Sequence, residues 1–351
     1  MDRKERSKKL ERNSKMKSLL VLKENIRKIY SKYENYITPA FKFLLAFISL
    51  NLVNSKLGYM SRIDNIMVVL VIALLCSCLP YNFTIIVSAV FVLLHLYTLS
   101  MECAAVALCI FLLMFLLYFR LSPKDALLVL LTPICFMLNI PIVIPLVAGL
   151  LCSPASIVST SFGVVTYYVL DYVVTNVAAF SSTEVESEMQ KIRIMIDGVL
   201  NNQLMFMVVA TFAVTILVVF VIRKKAMDYA WTIAMIAGAI LNVLILLMGE
   251  LVLDLNISII GTIIGAIISV LLAQVIKFFV FNVDYTRTEY VQFEDDEYYY
   301  YVKAVPKITV AVADKSVKRI NVQRKSATQS KAGGQRTSAR EYQSKTGNRI
   351  R

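Results

Sequence analysis

The stretch ALLVLLTPICFMLNIPIVIPLVAGLLCSP, residues 126–154, decides how this chain folds. It is an apolar run long enough to cross a membrane, but four residues interrupt it: Pro133, Asn139, Pro141 and Pro145. Proline removes a backbone donor, and its ring clashes with the preceding helical turn. Broken backbone at membrane depth is tolerated only where protein or water satisfies its polar groups. The stretch therefore predicts a broken hairpin over 126–152, made of two half-helices near 126–138 and 141–152.

Apolar segments on both sides of this hairpin indicate a polytopic membrane protein. Hydrophobic residues make up 58% of the 351 residues, and a helix needs about 20 apolar residues to cross the hydrocarbon. The pattern predicts an all-α bundle over 38–282 with about eight transmembrane helices besides the hairpin. The expected crossings lie near 41–57, 64–79, 83–101, 103–119, 156–180, 203–222, 230–249 and 257–281.

The placement of Lys and Arg predicts the orientation. Residues 1–37 carry twelve Lys and Arg against five Asp and Glu, and residues 302–351 carry thirteen against two. Cytoplasmic loops of membrane proteins are enriched in these cations. If 126–152 crossed the membrane once, the cations at 223–225 and the basic tail would lie outside, whereas a hairpin that folds back places both inside. The sequence thus predicts a multi-pass protein of the cell membrane with both termini in the cytoplasm.

The two basic ends are expected to contact anionic lipids of the bilayer. Apolar residues at helical spacing over 14–36 predict an amphipathic helix on the membrane surface, within an N-terminal cytoplasmic segment 1–37. The tail over 326–351 is polar and basic and is predicted to be disordered. Lipid attraction is favoured over nucleic-acid binding as the reason for this charge. A second amphipathic helix, over 183–200, is predicted on the opposite surface.

One carboxylate lies well inside an apolar span. Stepping by four residues along that span gives a single polar or small face: Ser159, Gly163, Tyr167, Asp171 and Thr175. An ionised carboxylate is costly there, so the face is expected to point into the bundle, with Asp171 as a proton or cation site and Tyr167 and Tyr168 as partners. Asn139 at the hairpin tip would add a ligand, because discontinuous helices present terminal dipoles to ions in many transporters. The alternative is a structural Asp171 that ties helices together or reaches water near the outer surface.

Two faces of small residues predict close helix contact. The first comprises Gly261, Gly265, Ser269 and Ala273, and the second comprises Ala230, Ala234 and Gly238. Small residues let helix backbones approach one another. The two faces are therefore expected to meet, and the alternative is a seam between the copies of a homo-oligomer.

Four acids and four tyrosines follow the last span: Glu294, Asp295, Asp296, Glu297, Tyr298, Tyr299, Tyr300 and Tyr301. Strand formers surround them in a cytoplasmic segment over 283–325, which predicts two or three short strands with an acidic turn. So small a sheet has too little core to stand alone. It is expected to dock on the helices, on a second copy or on a protein partner.

The segment that follows the last predicted span resembles part of a known family. The stretch EYVQFEDDEYYYYVKAVPKITV, residues 289–310, resembles the tail of an uncharacterised family of bacterial multi-pass membrane proteins. The resemblance implies a bacterial cytoplasmic membrane and no particular activity.

The motifs of soluble enzymes are missing from the sequence. It contains no Walker sequence, no Gly-rich dinucleotide turn and no catalytic Gly-x-Ser-x-Gly or His-Glu-x-x-His pattern. Its six cysteines lie in or beside apolar runs without metal-binding spacing. The sequence therefore predicts neither an enzyme nor a cofactor or metal site. Two hypotheses remain: a small-solute or ion transporter built on Asp171 and the hairpin, and a non-enzymatic scaffold that recruits partners through its cytoplasmic tail.

Overall fold

Helices dominate the fold. The computed structural model describes residues 3–181, 188–225, 227, 229–253, 258–280, 289–294 and 299–304. The helices in these ranges are α1 (Arg3–Leu57), α2 (Ile66–Cys78), α3 (Tyr81–Leu99), α4 (Met101–Leu121), α5 (Ala126–Met137), α6 (Val143–Leu151), α7 (Ser156–Thr175), α8 (Val177–Ser181), α9 (Glu188–Leu200), α10 (Gln203–Arg223), α11 (Ala230–Leu253) and α12 (Ile259–Val280). The strands are β1 (Glu289–Glu294) and β2 (Tyr299–Ala304).

Seven helical stretches among the described residues are long and apolar enough to cross a membrane, as in a multi-pass membrane protein. They are Val21–Leu57, Tyr81–Leu99, Met101–Leu121, Ser156–Thr175, Glu188–Arg223, Ala230–Leu253 and Ile259–Val280. The crossing predicted at 64–79 is α2, and its 13 residues cover only about 20 Å. Within the described ranges there are thus seven stretches of crossing length, and α2 is the predicted crossing that falls short of it.

The N-terminal segment and the first crossing are two helical stretches joined at a kink within α1. The kink lies close to the boundary that the sequence predicts near residue 37, and the second stretch continues to Leu57. Pro39 lies inside α1, and Tyr33 departs from helical geometry with φ −118° and ψ 21°. Proline removes one helical hydrogen bond and bends a helix without having to end it. The predicted amphipathic segment is thus joined to the first crossing across a kink.

The broken stretch forms two short helices joined by a tight turn. Helix α5 ends at Met137, and Asn139 adopts φ +58°. Asn is one of the few residues besides glycine that favours this left-handed conformation after a helix. The Ile140 N–H then donates to the Cys135 carbonyl at 2.9 Å, which satisfies one of the carbonyls left free at the helix end. Pro145 lies in the first turn of α6, where the missing N–H has no helical partner in any case.

Both ends of this hairpin lie at the same end of the bundle. The Arg223 guanidinium, at the end of α10, donates to the carbonyls of Leu150 and Cys152 where α6 ends. The Asp125 side chain, where α5 begins, lies beside Cys152. We call this the Arg223 end of the bundle. The opposite end, where α1 finishes at Leu57, is called the Lys56 end.

Helix α6 is surrounded by close contacts with α10, α11 and α12. A Cβ atom on Gly149 of α6 would lie 2.7 Å from Val219 Cβ on α10. A Cβ on Gly238 of α11 would lie 2.3 Å from Val219 and 2.9 Å from Leu146 of α6. Because Gly149 and Gly238 are small, the short helix α6 can pack closely against α10, α11 and α12.

The glycines of the two small faces have different neighbours. Gly238 faces α10 and α6, and Gly265 of α12 faces the carbonyl of Asn139 at the hairpin tip. Ser269 is buried, whereas Gly261 is exposed. Helices α11 and α12 are in direct contact, and Ala234 and Ala273 are buried in the same apolar cluster as Leu146 of α6, so the meeting of the two faces along their whole length stays a prediction.

Two surface elements complete the described fold. The helix predicted over 183–200 is described from Glu188 as α9, and it packs on α4 and α7 with Met195 buried. Strands β1 and β2 pair antiparallel, with Glu289 opposite Ala304 and Glu294 opposite Tyr299. The acidic turn over 295–298 and any third strand lie outside the described residues.

Close packing around α6 predicts a strong response to one methyl group. Gly149→Ala places a Cβ against the fixed Cβ of Val219 and 3.1 Å from the Ile216 carbonyl, so backbone must move. Overpacking of this kind costs about 1–3 kcal/mol. Thermal unfolding of the purified protein in detergent should show a clear loss of stability.

The matched control is Gly261→Ala on exposed α12 surface. The new Cβ there meets only the Ser258 side chain, at 3.2 and 3.4 Å, and alanine favours helix over glycine. Equal melting temperatures for the two variants would contradict the packing described.

Candidate functional site

Asp171 of α7 forms an ion pair with Lys56 of α1. Lys56 Nζ lies 3.3 Å from Asp171 Oδ1, with the side chains 25% and 46% exposed. The polar face of α7 differs from its prediction, because Ser159 and Gly163 are buried while Thr175 is exposed. The face thus runs from the core to the surface, and Asp171 has a cationic partner and partial contact with solvent.

The C-terminal ends of α1 and α7 position the Lys56–Asp171 pair. Helix α1 ends at Leu57, and Gly58 follows with φ +58°, the conformation that commonly terminates a helix at glycine. Lys56 therefore lies in the last turn of α1, where a cation interacts favourably with the helix dipole. Asp171 lies near the C-terminal end of α7, where the dipole disfavours an anion. Lys56 offsets that penalty.

Aromatic rings extend the pair towards the hairpin. Lys56 Nζ lies 5.5 Å from the centroid of the Tyr167 ring. Phe136 of α5 stacks on Tyr167 at 4.6 Å and meets the buried Tyr168 edge-on at 5.8 Å. The last turn of the proline-containing helix α5 is therefore in direct contact with the side chains around Asp171.

A cavity of about 60 Å³ lies next to this aromatic layer. Residues of α1, α3, α4, α5 and α7 line it, among them Leu52, one turn before Lys56, and Leu170, which directly precedes Asp171. Most of the lining is apolar, but Ser49, Ser88 and Thr166 also line it. The Thr166 hydroxyl donates to the Phe162 carbonyl, whereas the hydroxyl oxygens of Ser49 and Ser88 are buried without a hydrogen-bond partner among the described residues. A buried hydroxyl without a partner costs about 1–3 kcal/mol.

Pro133 adds a third polar group to the same cavity. Proline has no N–H, so the carbonyl of Val129, four residues earlier, lacks its helical donor. Pro133 and Val129 both line the cavity. Pro133, Val129 and the two serines thus line the same cavity.

His95 has a packing role near the Lys56 end. The Met60 N–H donates to His95 Nδ1 at 3.2 Å, so the ring proton lies on Nε2, which donates to Asn54 Oδ1 at 2.9 Å. The Asn54 amide in turn donates to the Ile63 carbonyl at 2.8 Å. These bonds hold the 58–65 loop on α1 and α3 and use both ring nitrogens.

The structure brings only some of the predicted site residues together. Asp171, Tyr167 and Tyr168 are in contact, and Lys56 and Phe136 join them although the sequence analysis did not include them. The Thr175 hydroxyl donates to the Asp171 carbonyl and is exposed. Asn139 is exposed at the hairpin tip and faces α12 through its carbonyl. One signal could have identified Lys56. The first predicted crossing, 41–57, has Lys42 at its start, and Lys56 is the one further cation within it.

The described residues contain no group of three or more His, Cys, Asp and Glu side chains that could hold a metal ion. Comparison with protein-family models, with curated proteins and with solved structures finds no match to this chain. The resemblance of the tail to a family of multi-pass membrane proteins therefore stays a prediction.

The geometry predicts that the ion pair contributes little to stability. Ion pairs that reach solvent contribute about 0–1 kcal/mol, so Asp171→Asn should leave the melting temperature nearly unchanged. His95→Phe should lower it clearly, because it leaves the Met60 N–H and Asn54 without their partners, at about 1–3 kcal/mol for each buried group. Thermal unfolding of both variants makes the comparison, and a loss for Asp171→Asn as large as that for His95→Phe would indicate a structural Asp171.

Proposed function

We propose that this protein transports small solutes across the membrane and that the Lys56–Asp171 pair reversibly closes one end of its pathway. The observation that carries the proposal is the cavity beside the pair, which contains polar groups that lack hydrogen-bond partners. Binding sites are concave and mostly apolar, with a few polar groups that fix the ligand. Discontinuous helices at membrane depth are a recurrent feature of secondary transporters.

Charge supports an orientation for the pathway. Among the described residues, the cations at or next to the Arg223 end are Lys42, Arg120, Lys124, Arg223, Lys224, Lys225 and Lys277, with Asp125 as an acid beside them. At the Lys56 end the cations Lys56, Arg62, Lys191 and Arg193 are outnumbered by the acids Asp64, Glu102, Asp171, Glu188, Asp197 and Glu250. By the positive-inside rule the Arg223 end faces the cytoplasm. The ion pair then lies towards the outer side of the membrane, and both chain termini lie on its cytoplasmic side.

The ion pair has the energetics that a reversible closure needs. A fully buried pair is strongly destabilised when one partner leaves, which would hold the closure shut. Lys56 and Asp171 are partly solvated, so water replaces each partner when they separate. Separation then costs about 1 kcal/mol or less, and thermal motion opens the pair readily.

Aromatic contacts connect the Lys56–Asp171 pair to the hairpin. Lys56 lies over Tyr167, and Tyr167 stacks on Phe136 of α5. Movement of the ion pair therefore displaces the last turn of α5, one turn beyond Pro133. A helix that has lost one backbone hydrogen bond at proline bends there more easily than an intact helix.

A second function, recruitment of a partner through the tail, is favoured by one observation. The side chains of Tyr300 and Tyr301 on β2 are 37% and 75% exposed, and exposed tyrosines are enriched at protein interfaces. Deleting 289–325 separates the two functions, because a scaffold loses its co-purifying protein while a transporter retains solute flux in vesicles.

Charge exchange tests the closure in purified protein. Lys56→Asp and Asp171→Lys each put like charges together, so the Lys56 end cannot close and turnover falls. The double variant restores an opposite-charge pair and should recover flux. The measurement is the swelling rate of proteoliposomes after osmotic shock with glycerol, urea, potassium chloride or sodium acetate.

The control is Arg193→Asp, which breaks a pair of exposed side chains on α9, where Arg193 Nε lies 3.5 Å from Asp197. It should leave flux unchanged. Swelling no faster than in protein-free vesicles for every solute, or a double variant as inactive as the single ones, would contradict the proposed transport.

A further inference from the structure

The lining of the cavity also restricts what can bind there. We propose that it binds a small uncharged solute with one hydrogen-bonding group, held by the hydroxyls of Ser49 and Ser88 and the carbonyl of Val129. This inference rests on the proposed transport function, because it names the class of solute that the pathway carries.

The polar groups define the recognition chemistry. Ser49 is 7% exposed, and within the described part of the chain its hydroxyl oxygen and that of Ser88 have no hydrogen-bond partner. Each hydroxyl can donate one hydrogen bond and accept others, and the Val129 carbonyl only accepts. A solute hydroxyl or amide can therefore donate to the carbonyl and accept from a serine.

The lining excludes charged solutes. The residues that line the cavity include no Asp, Glu, Lys, Arg or His. A charge moved from water into such a site without a counter-charge carries a penalty of several kcal/mol. The Lys56–Asp171 pair is adjacent but already neutralised, so it offers no free charge to the cavity.

The dimensions favour a short molecule with an apolar body. About 60 Å³ is available, roughly four times the space that one water molecule needs. Around the polar groups the wall is aliphatic and aromatic, with Ile85, Ile134 and Phe162 among its residues. A molecule of about four non-hydrogen atoms, such as 1-propanol, matches this space and its chemistry.

Two isoleucines supply a local reporter for binding. The experiment records methyl NMR spectra of isoleucine-labelled protein in lipid nanodiscs during titration with 1-propanol. Resonances of Ile85 and Ile134 should shift and saturate, whereas Ile260, which is 73% exposed on α12, reports only partition of the alcohol into lipid. Propylammonium and propionate, which share the chain but carry charge, should give no saturable shift.

Variants identify the polar contacts. The Ser49→Ala/Ser88→Ala double variant should weaken 1-propanol binding about tenfold, in line with the modest net strength of two hydrogen bonds. Pro133→Ala supplies an N–H to the Val129 carbonyl and should also weaken binding without altering either serine. Ser269→Ala is the control, since Ser269 has a buried unpaired hydroxyl but does not line the cavity.

The outcomes separate this inference from the transport function. Without saturable shifts at Ile85 and Ile134, or with equal affinity in the double variant and in Ser269→Ala, the proposed solute class is overturned, whatever the flux measurements show. Site-specific binding of 1-propanol together with no flux for any solute would uphold the binding site and overturn transport. Binding of propylammonium or propionate at the same methyl groups would overturn the restriction to uncharged solutes.

Discussion

The fold depends on satisfying the backbone polar groups of a helix that breaks inside the bundle. A helix end leaves carbonyls without donors, and lipid offers none. At the break, Asn139 turns the chain so that Ile140 can bond back to α5. At the Arg223 end, the Arg223 guanidinium holds the other end of α6 by donating to the carbonyls of Leu150 and Cys152. Small residues on α6 and α11 then close the surrounding helices around it. Without these contacts the hairpin would have no stable position between the longer helices.

Pro133, inside α5 and before the break, provides chemistry that a helix without proline cannot. Pro133 frees the carbonyl of Val129 beside two serine hydroxyls that lack partners. The free-energy cost of burying these unpaired polar groups is offset by the apolar contacts of the core around them. A polar group left unpaired in the interior calls for an explanation, and a bound molecule is one of them. In the proposed transporter these polar groups form the solute site. The weak Lys56–Asp171 pair, towards the outer side, sets how readily that site opens.

Local patterns in the sequence predicted the broken hairpin but did not predict its neighbours. The prolines and Asn139 act on their own backbone, so their effect can be predicted from a few adjacent residues. The Lys56–Asp171 pair joins residues 115 positions apart, and no local pattern encodes that distance. The small faces containing Gly238 and Gly265 were recognised, but the contacts of these glycines with α6 and with the hairpin tip were not predicted, because the hairpin comes from a distant part of the chain. The boundary predicted near residue 37 lies close to the kink at Tyr33, where the helical geometry of α1 is interrupted.

The most direct test of the account is the sidedness of the two hairpin ends. Lys124 and Ser153 flank the hairpin and are exposed, as is Gln190 on α9 at the opposite end of the bundle. Single cysteines at these positions, in a protein whose six native cysteines are replaced, would be labelled in sealed vesicles with an impermeant maleimide. The account predicts that positions 124 and 153 react only from the cytoplasmic side and position 190 only from the other. Labelling of 124 and 153 from opposite sides would show that the stretch crosses the membrane, and would contradict the account.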